Sequence, residues 1–347
     1  MTYVAETIGP QGWGNYLVDW TSGVPTFEPV NRAASMLLVP GFVDLHIHGA
    51  FGLDFMDASH EDLLVLSRKL EDCGYEAFLP TTVTASAQAV QSAVDRIPED
   101  DRIPGFHLEG PFISSVFTGA QPKEFIAAPP LGSSDWDPIL DHPKLRRVTL
   151  APELPGALEL TLRLTKRGVA VSMGHTNATF DEARRGFEFG ATDTTHTFNA
   201  MRPLHHREAG TVGYALSNDA LSCELIYDRL HVAPDAARLL VKCKPENMVV
   251  AVSDSTRATG LPPGTKVLMW GHEAVTGRGD VRLTDGTLAG SAITLMDAFL
   301  NLADDFGPEI ATRACCINPR RSLGMLVEPP KLWLEFDRKL QFAGKRT

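Results

Sequence analysis

The sequence predicts an α/β fold, a (β/α)8 TIM-type barrel with a small β-domain built from both chain termini. Three observations carry this. From residue 37 onward, short apolar runs alternate with amphipathic helical patterns across polar turns, the order that produces parallel strands and right-handed crossovers. Eight such runs occur, at 37–46, 77–82, 103–109, 147–151, 169–174, 191–197, 223–230 and 248–253, and eight units over ~250 residues match a closed barrel. The rival, an open doubly wound sheet, would be expected to carry a glycine-rich dinucleotide fingerprint, and none is found.

The elements follow in order. Residues 1–40 are rich in Gly, Pro and Trp with short β-like runs, and the far end holds an alternating Leu332-Trp333-Leu334-Glu335-Phe336. Residues 1–40 with 325–347 are therefore assigned to the small β-domain and 41–324 to the barrel. The first crossover helix is predicted over 61–73, where Leu63, Leu66 and Leu70 recur at three- and four-residue steps. Residues 155–167, 180–189 and 233–242 read the same way. Residues 265–288 carry Gly-Arg-Gly-Asp and Thr-Asp-Gly turn signals and predict hairpins. The chain has no internal repeat and no low-complexity linker.

Composition bounds the function. The 347 residues are 44% hydrophobic and 22% charged, ordinary for a soluble globular protein. A net charge of -11 argues against a nucleic-acid scaffold or a binder of anionic membranes. Five cysteines (Cys73, Cys223, Cys243, Cys315 and Cys316) with no C-x-x-C spacing read as reduced thiols. No basic segment followed by an apolar core opens the sequence, and no apolar run approaches the ~20 residues of a membrane span. The expectation is a cytoplasmic protein.

Chemistry collects at the strand ends. His46 and His48 are separated by one residue, so on a strand their imidazoles share a face. Further along come His107-Leu108-Glu109, Gly174-His175-Thr176, Thr195-His196-Thr197, His231 and Ser253-Asp254-Ser255. Singly, each histidine reads more simply as a hydrogen-bonded core residue, and Asp254 as a turn or N-cap. Together they place ionisable groups at the C-terminal ends of six of eight strands, where barrel enzymes keep their sites. Imidazole and carboxylate donors suit a divalent metal, zinc first, with iron, manganese or cobalt also compatible. Glu109, His175 and His196 would hold one ion and leave room for water. His46 and His48 could hold a second, with Glu109 bridging. Asp254 is the candidate proton shuttle, and His107, one layer deeper, a supporting hydrogen-bond partner.

The ordered set Pro-Gly-Phe-Val-Asp-Leu-His-Ile-His-Gly, His-Leu-Glu-Gly-Pro-Phe, Gly-His-Thr-Asn-Ala, Thr-His-Thr-Phe-Asn-Ala-Met, Ser-Asp-Ser and Leu-Ala-Gly-Ser resembles the amidohydrolase superfamily. Within it, the set is most similar to the N-acetylglucosamine-6-phosphate deacetylase family, from about Pro40 to Leu323. The resemblance implies a barrel with a small terminal β-domain, a divalent metal and a homodimer. It implies Glu109, His175 and His196 as ligands of the main ion, with His46 and His48 leaving a two-ion site open, and Asp254 as proton donor and acceptor. It further implies substrate contacts at Ala120, Gln121, Asn199, Ala200, Arg207, Asp228, His231, Leu288, Ala289 and Gly290, with Arg207 pairing with a sugar phosphate. The implied reaction is hydrolysis of the N-acetyl amide of an amino-sugar phosphate, in amino-sugar catabolism. This chain departs from the family pattern at Gln121, where a histidine is usual, and in having Arg-Glu-Ala-Gly around Arg207. Two rivals stand beside this reading: the same site acting on another acyl amine, such as the galactosamine epimer or an N-acyl amino acid, and a non-catalytic sugar-phosphate sensor.

Overall fold

The computed structural model describes residues 2–347. Eight parallel strands form its centre: β1 (Phe42–Ile47), β2 (Tyr75–Pro80), β3 (Phe106–Glu109), β4 (Leu145–Leu150), β5 (Ala170–Met173), β6 (Asp193–Thr194), β7 (Ser222–Ile226) and β8 (Val249–Val252). Strands β3 to β8 make one six-stranded sheet in sequence order, and β1 pairs with β2. Single parallel bridges sit at the two seams, Thr81 to His107 and Ile47 to Ser255. Apolar side chains from alternate positions of four strands (Val43, Leu45, Ala77, Leu79, Ile226, Val250 and Val252) meet in one fully enclosed cluster. A larger apolar layer lies between the sheet and the helices, which is why these strands read as near-continuous apolar runs.

One expectation needs correcting at the first strand. The run 37–46 is two strands in two sheets, Met36–Pro40 and β1, divided at Gly41. Gly41 N–H donates to Leu332 O at 2.7 Å and Phe42 N–H to Gly74 O at 2.9 Å, so the partner changes within one residue. A Cβ at Gly41 would lie 2.7 Å from Glu76 Cβ, which leaves no space for a side chain at the crossing. The first part joins a six-stranded sheet made from both chain ends, ordered Phe342–Arg346, Trp333–Phe336, Met36–Pro40, Thr2–Gly9, Gly12–Asp19 and Thr26–Pro29. Ala5, Tyr16, Val18, Leu38 and Trp333 form its core.

The predicted crossover helices appear as His60–Asp72, Ala157–Thr165, Phe180–Glu188 and Pro234–Cys243. Capping boxes open two of them, Ser59 with Asp62 and Thr179 with Glu182. Three short helices went unpredicted, Asp137–Leu140, Pro308–Thr312 and Asn318–Ser322, and so did three longer ones: Ala87–Val94, Gly210–Ser217 and Leu295–Phe306. The last begins with a capping box of its own, Thr294 with Asp297. The expected hairpins form a four-stranded antiparallel sheet, Lys266–Met269, His272–Thr276, Asp280–Leu283 and Leu288–Ser291. Its last strand returns beside the end of β8, where Ser291 N–H donates to Asp254 O at 2.9 Å.

Candidate metal centre and active site

Each ionisable group reaches the site because a strand stops beneath it. His175, His196 and Asp254 lie two residues past β5, β6 and β8, and each has a positive φ (46°, 32° and 47°). That left-handed backbone is costly for a side-chain-bearing residue and is typical of functional turns. At the β8 turn Asp254 is met by Gly290, where an added Cβ would come within 2.9 Å of Asp254 O. Glycine there lets the hairpin return close over the carboxylate.

Two buried donor groups result: Glu109 with His175 and His196, and His46 with His48 and Asp254. Glu109 Oε1 lies 3.2 Å from both His175 Nε2 and His196 Nε2, which are 3.1 Å from each other. His48 Nε2 lies 3.2 Å from Glu109 Oε2 and 3.3 Å from Asp254 Oδ1. His46 Nε2 is 3.3 Å from His48 Nε2 and 3.3 Å from Glu109 Oε1. Glu109 thus stands between the two groups.

The outer ring nitrogens decide what these contacts are. His48 Nδ1 faces the Thr81 carbonyl oxygen at 3.2 Å and His175 Nδ1 the Phe117 carbonyl oxygen at 3.1 Å. A carbonyl accepts and never donates, so both rings carry hydrogen on Nδ1 and, when neutral, a bare lone pair on Nε2. Those lone pairs then face carboxylate oxygens: Glu109 Oε2 and Asp254 Oδ1 at His48, and Glu109 Oε1 at His175. Only positive charge, protons or a divalent cation, reconciles that geometry, and a buried N/O set of this kind fits a divalent metal. The titration behaviour expresses the same demand. Burial lowers the His48 pKa, but Asp254 and Glu109 outweigh it and push it up to about 9. Burial raises the Glu109 pKa, yet His46, His175 and His196 hold it well below the usual carboxylate range.

Beneath this layer sits a buried charged floor that the sequence reading did not single out. Glu224 of β7 accepts from His196 N–H at 3.0 Å, and His46 Nδ1 lies 3.4 Å from it. Arg147 of β4 brings Nη2 to 2.7 Å of Glu224 Oε1, a contact of charge without aligned N–H geometry. Asp44 Oδ1 accepts from His46 N–H and Ser253 N–H, each at 3.2 Å, tying β1 to β8. The available signal was a charged residue inside an apolar strand. His107, expected one layer deeper, lies 2.7 Å from Thr149 Oγ1 and packs edge-on against His46.

A cavity of about 400 Å3 opens above the donors. Of the residues singled out in the sequence, His48, Glu109, Ala120, Gln121, His175, His196, Asn199, Ala200, His231, Asp254, Leu288 and Gly290 line it. Four expected site residues do not. His46 is fully buried below its floor. Asp228 spends both carboxylate oxygens on holding His231, accepting from Leu230 N–H at 2.8 Å and His231 N–H at 2.7 Å and meeting His231 Nδ1 at 2.5 Å. Ala289 points into an apolar cluster with Ala258, Met269, Ala274 and Val281. Arg207 is exposed, its Nη1 3.0 Å from His206 Nε2, because residues 203–207 run over the surface.

The sequence reading missed Trp270 and Arg282, both supplied by the hairpin sheet. Trp270 occupies a positive-φ turn with Gly271, packs edge-on against His48 at 5.1 Å and donates to Asp54 Oδ2 at 3.2 Å. Arg282 is the one arginine or lysine lining the cavity among the described residues. Asp280 Oδ2 accepts from its Nε at 2.7 Å and the Gly286 carbonyl from its Nη1 at 3.0 Å. Across the cavity, Phe198 and Ala200 have positive φ, and the Ala200 N–H makes no hydrogen bond among the described residues.

Comparison with known proteins places this donor set in a family. The amidohydrolase family model matches residues 37–329. The chain belongs to the amidohydrolase family. It is 38% identical over 283 residues to N-acetylglucosamine-6-phosphate deacetylase of Bacillus subtilis, covering 78% of this chain and 71% of that protein. It is 35% identical over 305 residues to N-acetylgalactosamine-6-phosphate deacetylase of Escherichia coli O157:H7, covering 85% and 80%. Among solved structures it is similar to a mutant N-acetyl-D-glucosamine-6-phosphate deacetylase from Mycobacterium smegmatis in complex with N-acetyl-D-glucosamine-6-phosphate. That match has a TM-score of 0.86 at 27% identity over 99% of this chain and 96% of the other. As an amidohydrolase, the chain is a hydrolase whose family uses a divalent metal. No helix among the described residues is long and apolar enough to cross a membrane.

Proposed function

We propose that this amidohydrolase hydrolyses the N-acetyl amide of N-acetylglucosamine 6-phosphate, giving glucosamine 6-phosphate and acetate. The observation that carries the reading is one cavity holding a metal-type donor set, an adjacent buried aspartate and a single guanidinium. Glu109, His175 and His196 would hold the main ion, zinc first, and His46 and His48 with Asp254 offer a second position. When bound, the ion supplies Lewis-acid polarisation of the amide carbonyl and lowers the pKa of water.

The chain's own residues do the rest. Asp254 takes a proton from the attacking water and returns it to the departing amine. His231, fixed by Asp228, presents its other ring nitrogen to the cavity and stabilises the developing oxyanion. Burial lowers the His231 pKa, but the Asp228 carboxylate outweighs it and keeps the pKa above the ordinary value. The sugar phosphate is met by the Arg282 fork together with Asn199 and the free Ala200 amide, since a dianion favours a guanidinium plus oriented N–H groups. Arg207, exposed on its own protomer, would serve an anion beyond this cavity in a homodimer. Trp270 excludes water from the ion side.

The seam bridges support a closed (β/α)8 barrel spanning 41–324, with 1–40 and 325–347 as the small β-domain. Five unpaired cysteines are compatible with the cytoplasm. The galactosamine relative supports a second reading, the epimeric sugar phosphate as substrate. The test is acetate release by metal-analysed protein on N-acetylglucosamine 6-phosphate, its galactosamine epimer and unphosphorylated N-acetylglucosamine. Turnover preferring the first is expected. Preference for the epimer moves the substrate to the second reading, and equal use of the unphosphorylated sugar removes the phosphate site.

A further inference from the structure

Gln121 lies in the loop after β3, 6% exposed, and both ends of its amide are engaged. Thr84 N–H donates to Gln121 Oε1 at 2.7 Å. A backbone N–H can only donate, so that end of the amide must be the oxygen and the other end must be the NH2. The NH2 donates to Glu109 Oε2 at 2.6 Å. Glu109 Oε1, left free of it, faces His175 Nε2 and His196 Nε2.

Rotation of the Glu109 carboxylate is broad by nature, because its terminal torsion joins an sp3 to an sp2 carbon. A donor pinned by the backbone at one oxygen removes that freedom and gives the two oxygens different tasks. We propose that Gln121 is a positioning residue for the metal centre: anchored on Thr84, its amide clamps Glu109 Oε2, so that Oε1 is presented to the ion held with His175 and His196. The clamp also engages the oxygen that a carboxylate bridging to a second ion would need. Contact with the sugar, the role expected of this position, is left to one remaining N–H.

The proposal rests on the metal reading above, and the experiment separates the two. Gln121→Met keeps the length and volume of the side chain while removing donor and acceptor. Zinc affinity of metal-free wild type, Gln121→Met and Glu109→Ala is measured by competition with a chromophoric chelator, and KM is measured at saturating zinc. Loss of an outer hydrogen bond to a ligand typically costs about 10- to 100-fold in metal affinity, and Gln121→Met is expected to show that loss. Equal zinc affinity of Gln121→Met and wild type overturns the proposal, whatever KM does. Wild type binding zinc no better than Glu109→Ala would instead overturn the metal reading. Should Gln121→Met lack native circular dichroism, Gln121→Asn answers the same question. Its amide stands on a stem one methylene too short to reach Thr84 and Glu109 together, and the same loss is expected.

Discussion

The proposed reaction asks Asp254 to be both a base and an acid, and its surroundings suit both tasks. Burial raises its pKa, but His46 and His48 outweigh it and keep the carboxylate ionised, ready to accept. The His48 Nε2 at 3.3 Å and the turn fixed by Gly290 hold it over the donor groups. Asp254→Asn is isosteric and removes the basic oxygen, so turnover is expected to fall about a hundred- to ten-thousand-fold. Zinc held by Glu109, His175 and His196 should stay near the wild-type level, because those three residues are untouched. Metal analysis beside acetate-release kinetics checks both, and wild-type turnover would refute the shuttle role. At this scale the sequence was most informative where chemistry needs a rare side chain at a strand end. His46, His48, Glu109, His175, His196 and Asp254 could be picked out because each ends an apolar run. Arg282 could not, since an arginine two residues from an aspartate in a hairpin looks like any surface pair.

The elements hold those residues by a buried ionic layer as well as by apolar packing. Arg147 of β4 stands against Glu224 of β7 and, at 3.4 Å, Asp193 of β6. Burial raises the Glu224 pKa, but Arg147 and then His46 bring it far below the ordinary value. Removing one partner of a buried pair leaves a charge without compensation, which costs about 3–5 kcal/mol. Arg147→Met is therefore expected to lower stability by about that amount in denaturant titration. The double variant Arg147→Met/Glu224→Gln should recover part of the loss, and strictly additive losses would mean that the two residues are not coupled. Elements with a strong period were legible: the leucine spacing of His60–Asp72 and the turn signals of the hairpin sheet both survive in the structure. Those whose definition depends on a neighbour were not. The 37–46 run divides because Leu332 and Gly74 compete for consecutive N–H groups, and no local pattern announces that.

The whole molecule must stay folded around six converging acceptors, and this couples metal binding to acidity. Without metal, charge balance falls to protons on buried imidazoles such as His48, whose pKa is raised to about 9 in the folded state although burial alone would lower it. In the unfolded chain a histidine titrates near ~6.5. A group whose folded pKa lies above its unfolded value contributes stability in full below the unfolded value and loses it as pH rises through the folded one. The metal-free protein should thus lose melting temperature steadily between pH ~6.5 and 9. A divalent ion replaces those protons and binds better as they leave, so the zinc-loaded protein should hold its melting temperature across the same window. At zinc a thousandfold above Kd the expected gain is about 4 kcal/mol, several degrees for a chain of this length. Thermal melts of chelator-treated and zinc-reloaded protein across that window give the test. Parallel curves for the two forms would mean that the donors do not exchange protons for metal, and the cavity would then have to be explained without an ion.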